Sequence, residues 1–249
     1  MRPIVIVRRI GQIRPINFYE KTKLAVFDID GTIFRENLAF ELIKELAWRG
    51  TFKKEVRNEL VRHYNNWLSH QGTYEDYRQA LVKLYFENIK GCKKEDIIKA
   101  SVDVIAFHRG RTYVFAEDLI KKLKAENYNI IAISGSPSEI VEEYNKYLGF
   151  DAVFGSIYEV DSEDRYTGRS AFEPTKDKSQ VVKQYMAENK IGPADSYAVG
   201  DTESDAPMLE IVEHPIAFNP NQNLKEIAEG KDWEIVVEKK DVVYRIKNN

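Results

Sequence analysis

Residues 23–34 read KLAVFDIDGTIF. Leu24, Ala25, Val26, Phe27 and Ile29 make a nearly unbroken apolar run, the pattern of a strand buried on both faces. The run delivers the chain to Asp28 and Asp30, one residue apart, and then to Gly31 and Thr32. Two carboxylates at the exit of a buried strand repel each other and lose hydration, so they call for partners elsewhere in the chain.

Downstream, the apolar spacing changes. FELIKELAW places Phe40, Ile43, Leu46 and Ala47 on one helical face. EVRNELVRHYNNWL does the same with Val56, Leu60, Tyr64, Trp67 and Leu68, and YEDYRQALVKLY with Tyr74, Tyr77, Leu81, Leu84 and Tyr85. EDIIKASVDVIAF supplies a fourth helix. Steps of three and four mark amphipathic helices, and four in succession can bury their stripes as a small bundle. After residue 111 helices and strands alternate. AEDLIKKLKAEN, SPSEIVEEYNKYLG, KSQVVKQYMAEN and APMLEIV read as helices, and NIIAIS, DAVFG, SYAVG and PIAFN as strands. Ser136 is the expected N-cap of the second of these helices, with Pro137 at its first position and Gly149 beyond its end. SIYEV and YTGRS read as a separate hairpin.

Alternation of this kind predicts an α/β fold, a doubly wound parallel sheet (Rossmann-like) with the helical bundle inserted as a cap. The expected division is an N-terminal extension over 1–21, an α/β core over 22–35 and 112–249, and a helical cap over 36–111. The extension could add an edge strand.

Ligands of open parallel sheets bind beyond the carboxyl ends of the strands. There the chain carries Asp28 and Asp30, then Ser134-Gly135-Ser136, then Asp201 to Asp205, with Lys176 and Lys178 before the helix between. Converging carboxylates cannot all stay ionised without a cation, and an oxygen-rich set suits Mg²⁺. A hydroxyl, loop amides and a lysine suit phosphate oxygens. Together they imply phosphoryl transfer with an aspartate as nucleophile. Each string alone is commonplace as a turn or cap, and the set is what informs. Asp177 as an N-cap puts Lys178, in preference to Lys176, beside the crevice.

These residues carry a resemblance. FDIDGTI, ISGS, the lysine before SQVV, and GDTESD look like the four motifs of the haloacid dehalogenase-like hydrolases, in the phosphoserine-phosphatase-like branch, over about residues 22–240. The resemblance implies that Asp28 becomes an aspartyl-phosphate. Asp30 would protonate the leaving oxygen and then activate water, its backbone carbonyl binding the metal. Thr32 would support the loop at the phosphate, and Ser134 and the Gly135 amide would hold the phosphate. Lys178 would balance the charge. Asp201 would ligate Mg²⁺, with Asp205 beside it. Relatives use an early-cap glutamate and a later cap arginine for the amine and carboxylate of phosphoserine. Counting puts Asn37 at the first, next to Glu36, and Leu81 at the second, one helical turn from Arg78. Ser204 stands where the branch usually has asparagine. Glu36, Asn37, Tyr77 and Arg78 are the cap residues expected near substrate, and the departures loosen the phosphoserine expectation without touching the phosphatase one.

The expected activity is therefore Mg²⁺-dependent hydrolysis of a small phosphorylated metabolite. A phosphotransferase or phosphomutase using the same aspartyl-phosphate is the alternative. A receiver-like phospho-aspartate module is a further one, although such modules are about half this length and lack the insert. Net charge is −3 with dispersed basic residues, which builds no nucleic-acid or anionic-membrane surface. No apolar run approaches spanning length. Cys92 is the only cysteine, so no internal disulfide forms, and a reducing, cytoplasmic compartment is expected. His63 and His70 share a helical face without a third ligand and read as packed or solvated.

Overall fold

The computed structural model describes residues 21–246. The expected N-terminal extension, Lys21 apart, lies outside the described residues. At the centre stands β1 (Leu24–Asp28), buried along its whole length. Its parallel neighbours are β2 (Asn129–Pro137) and β5 (Tyr197–Gly200), with Phe27 opposite Ala132 on one side and Val199 on the other. Outward from these run β3 (Ala152–Val160) and β4 (Tyr166–Phe172), and β6 (His214–Phe218), β7 (Glu234–Lys239) and β8 (Val242–Ile246). The order is β4-β3-β2-β1-β5-β6-β7-β8, parallel from β3 to β7, with antiparallel β4 and β8 at the edges. The doubly wound α/β expectation is met.

The run in β1 divides by strand alternation. Ala25 and Phe27 face one apolar cluster with α5 (Val114–Ala125) and α6 (Ser138–Leu148). Leu24 and Val26 face another, with α7 (Lys178–Asn189), α8 (Ala206–Leu209) and α9 (Gln222–Gly230). Each large side chain so buried contributes about 1.5–3 kcal/mol relative to exposure.

Between β1 and α5 the chain forms α1 (Leu38–Trp48), α2 (Lys54–Leu68), α3 (Tyr74–Ile89) and α4 (Lys94–His108). Asn37 caps α1 by accepting from Phe40 N–H, and Thr73 with Asp76 forms a capping box on α3. The expected stripes are buried at Phe40, Ile43, Leu46, Val56, Leu60, Tyr77, Leu81 and Leu84. Leu68 is not; it is 53% exposed. Eight residues beyond Leu60, the helix has turned about 80° off the stripe, while Trp67 stays on it. These helices do not close a core of their own. Their apolar residues join those of α5, α6 and the sheet in one continuous cluster. The two crossings into the segment run side by side: Phe34 bridges Thr112, Arg35 N–H donates to Arg111 O, and Tyr113 N–H to Ile33 O. Arg35 also stacks on Tyr113 and pairs with the buried Glu238, which accepts from Val114 and Phe115 N–H at the start of α5.

Two local expectations are corrected. Ser136 does not cap α6; β2 continues through Pro137, which occupies the cap position, and the helix starts at Ser138. The cause is a register shift of β2 against β3 between Ile133 and Pro137, which keeps the extra residues in the sheet. DAVFG and SIYEV are one strand, β3, because Gly155 lets it pass the start of α6 so closely that a Cβ there would lie 2.8 Å from Ser138 Cα. Beyond PIAFN no element is named from the sequence, and the structure adds α9, β7 and β8 there. Gly149 does end α6, at φ 63.

Phe27→Ala, at the centre of β1 against Phe150, is expected to cost about 3–5 kcal/mol. Denaturant unfolding checks it, as a lowered midpoint at unchanged slope.

Candidate active site

The buried end of β1 places Asp28 at the carboxyl edge of the sheet. Its Oδ1 accepts from Lys178 Nζ at 2.6 Å, while its Oδ2 is buried without a hydrogen-bond partner. Lys178, the first residue of α7, is itself buried and also donates to Asp205 Oδ1 at 2.5 Å and Ile133 O at 3.3 Å. Asp177 caps that helix by accepting from Gln180 N–H, which turns the next side chain inward. Lys176, by contrast, pairs with Glu173 at the surface.

Asp201 and Asp205 follow β5. Asp28, Asp201 and Asp205 offer carboxylate oxygens within 4.8 Å of one another. The other Asp205 oxygen accepts from the Asp201 and Thr202 amides, both at 3.0 Å, so this side chain shapes its loop and grips the lysine. Asp201 is approached by the Thr32 hydroxyl at 3.5 Å. Gly31 makes that approach possible: at φ 90 it lies in the left-handed region, and a Cβ there would sit 2.2 Å from Asp201 Oδ2. No side chain larger than hydrogen fits between the two loops.

Burial pushes the Asp28 carboxyl up to about 8, with the Lys178 ammonium pulling it back and Asp205 and Asp30 adding to the rise. Burial also drives Asp201 well upward, reinforced by Asp28 and Asp205. One ammonium among three clustered carboxyl groups leaves negative charge to balance. The unpartnered Asp28 oxygen and the open Asp201 carboxylate form a hard oxygen donor set that fits Mg²⁺.

Asp30 faces differently. Its Oδ1 accepts from Leu38 N–H at 2.6 Å, at the start of α1. Its Oδ2 accepts from the Ser134 hydroxyl at 2.5 Å and the Ser136 hydroxyl at 2.8 Å. Burial raises this carboxyl too, and those hydrogen bonds oppose the rise. The shift in β2 register brings both serines to Asp30, and Ser156 secures the bulge by donating to Gly135 O at 2.8 Å.

A cavity opens over Asp28, Asp30, Ser136 and Lys178, with Gly135 in its wall. Its outer walls are Leu81, Val82 and Phe86 of α3 and Tyr158 and Glu173 from the β3–β4 side. Of the cap residues expected near substrate, Asn37 and Arg78 line it. Arg78 is held by Glu75 through two contacts of 2.7 and 2.8 Å, and Asn37 is engaged as a helix cap. Glu36 and Tyr77 instead line a neighbouring cavity with Asn37, and the Tyr77 ring is packed among Phe40, Tyr64, Trp67 and Tyr74. Sequence reasoning missed the walls at Val82, Phe86, Tyr158 and Glu173 and the Asp30 contact of Ser136. A hairpin directly before Lys178 was the signal available for Tyr158 and Glu173. Among the described residues no helix is long and apolar enough to cross a membrane.

A sequence model of the family described as haloacid dehalogenase-like hydrolase matches residues 25–210. The chain is similar to the phosphoserine phosphatase of Archaeoglobus fulgidus, 26% identical over 215 residues, which are 86% of this chain and 57% of that protein. It therefore spans less than two thirds of that relative. It is also similar to the inhibition of morphological differentiation protein of Streptomyces azureus, 30% identical over 85% of this chain and 77% of that one. Among solved structures, a phospho-aspartyl intermediate analogue of phosphoserine phosphatase superposes with a TM-score of 0.60 at 25% identity, covering 89% of this chain and 95% of that chain. The chain belongs to the haloacid dehalogenase-like hydrolases.

Proposed function

We propose that the protein is an Mg²⁺-dependent phosphatase that hydrolyses the phosphate monoester of a small metabolite through an aspartyl-phosphate on Asp28. One observation carries the reading: Asp28 presents a buried, unpartnered carboxylate oxygen beside the cavity while Lys178 holds the other. That is the posture of a nucleophile. The names of the relatives support phosphatase chemistry, and the acidic set supports a divalent cation.

Asp28 and Asp201, with the Asp30 carbonyl, would hold the metal, and Asp205 would brace them. When bound, Mg²⁺ neutralises phosphate charge and stabilises oxygens as charge redistributes. The chain's own residues do the rest. Ser134 and the Gly135 amide bind phosphate oxygens, and Lys178 offsets the charge that Asp28 and the ester bring together. An Asp28 oxygen attacks phosphorus, the bond to the leaving oxygen breaks, and Asp30 gives that oxygen a proton. Asp30 then takes a proton from water as the water oxygen attacks phosphorus. The bond to Asp28 breaks and phosphate is released. Acid–base assistance of this kind is worth about 10²–10⁴-fold. The helices over residues 38–108 act as a cap that excludes water. Among the described residues lining the cavity, the cations are Arg78 and Lys178, both already paired. Such a wall suits an alcohol without a carboxylate better than it suits phosphoserine.

Asp28→Asn is expected to abolish turnover of p-nitrophenyl phosphate and of a metabolite panel with the circular dichroism spectrum unchanged; near-full activity would remove Asp28 as the nucleophile. Chelation by EDTA is expected to stop hydrolysis and added Mg²⁺ to restore it, measured by phosphate release. Lys178→Met leaves Asp28 and Asp205 buried without their counter-charge and is expected to cost about 3–5 kcal/mol, read by denaturant unfolding, together with activity.

A further inference from the structure

Ser136 is 2% exposed, and its hydroxyl does not cap α6, which starts at Ser138 without a side-chain cap. It accepts from Ala39 N–H at 3.2 Å and donates to Asp30 Oδ2 at 2.8 Å. The Ala39 amide occupies a lone pair of the hydroxyl and so leaves its single proton for Asp30. Asp30 Oδ2 also receives the Ser134 proton, and Oδ1 the Leu38 amide.

A serine hydroxyl has one proton, so Ser134 cannot donate to Asp30 and to a phosphate oxygen together. When substrate takes the Ser134 proton, Asp30 keeps Leu38 and Ser136 as its donors. We propose that Ser136 is a positioning residue: it holds the Asp30 carboxyl in the orientation that delivers a proton to the leaving oxygen, and it ties that orientation to the start of α1. The proposal rests on Asp30 as the acid of the reaction above.

Acid assistance matters more as the leaving group becomes more basic. p-Nitrophenolate leaves readily without a proton, while unsubstituted phenolate, of nearly the same shape, gains more from one. The test compares kcat/KM for p-nitrophenyl and phenyl phosphate, with Mg²⁺ present, in wild type, Asp30→Asn, Ser136→Ala and Ser136→Cys. The cysteine variant keeps the shape of the side chain, with a somewhat larger atom, and weakens the donor. The expected result is a rise of roughly tenfold in the p-nitrophenyl to phenyl ratio for both Ser136 variants, in the same direction as Asp30→Asn and smaller than the loss of the acid itself, since the acid is misoriented and not removed. Equal losses on both substrates, or an unchanged ratio, overturn the proposal while Asp30→Asn still shifts the ratio. If Asp30→Asn leaves the ratio unchanged, or wild type hydrolyses neither ester, the reading of Asp30 or of the phosphatase falls first, and the role of Ser136 with it.

Discussion

The ammonium of Lys178, buried between Asp28 and Asp205, is the contact on which the site depends. It joins the end of β1 to the loop after β5 through the first residue of α7. A buried charge of this kind is tolerable only with good partners, and these two are within 2.6 Å. Each partner is fixed in turn. Asp28 terminates the most deeply buried strand, and Asp205 is pinned by two backbone amides. The lysine therefore holds three loops in register before any ligand arrives, which is the preorganisation that electrostatic catalysis needs.

Asp30 belongs to a second arrangement. It looks away from the lysine toward the bulged end of β2 and the first turn of α1. Two aspartates one residue apart thus live in different settings: one beside an ammonium with a bare oxygen, the other wrapped in hydroxyl and amide donors. Strand geometry sets the division, since Asp28 still lies in β1 while Asp30 lies in the tight turn where Ile29 O accepts from Thr32, Ile33 and Phe34 N–H.

Much of this was legible in the sequence because it rests on local rules. The double-faced burial of β1 follows from LAVF, and the inward turn of Lys178 follows from Asp177 as a cap. The alternation after residue 111 sets the sheet class. What escaped depends on contacts between distant segments. The role of Ser136 depends on a register shift against β3, which a capping rule cannot foresee, and the rule misassigned it. Tyr77 sits at helical spacing whether it faces a ligand or four other rings, and only packing decides. Asn37 caps a helix and lines a cavity at once, and a motif count sees one role at most. By contrast, EIVVEK and VVYRI carry the β-branched and aromatic composition of strands, so β7 and β8 are elements that a local rule does offer.

The apolar cluster that runs from the sheet through α5 and α6 into the inserted helices has a thermodynamic consequence. Tyr85 packs against Phe52 within the inserted helices and against Tyr158 of β3 on the sheet side. Peeling the helices away would wet that shared surface at about 25 cal/mol per Å² of apolar area. The inserted helices therefore share burial with the sheet, and heat or denaturant is expected to melt the two together in one cooperative transition.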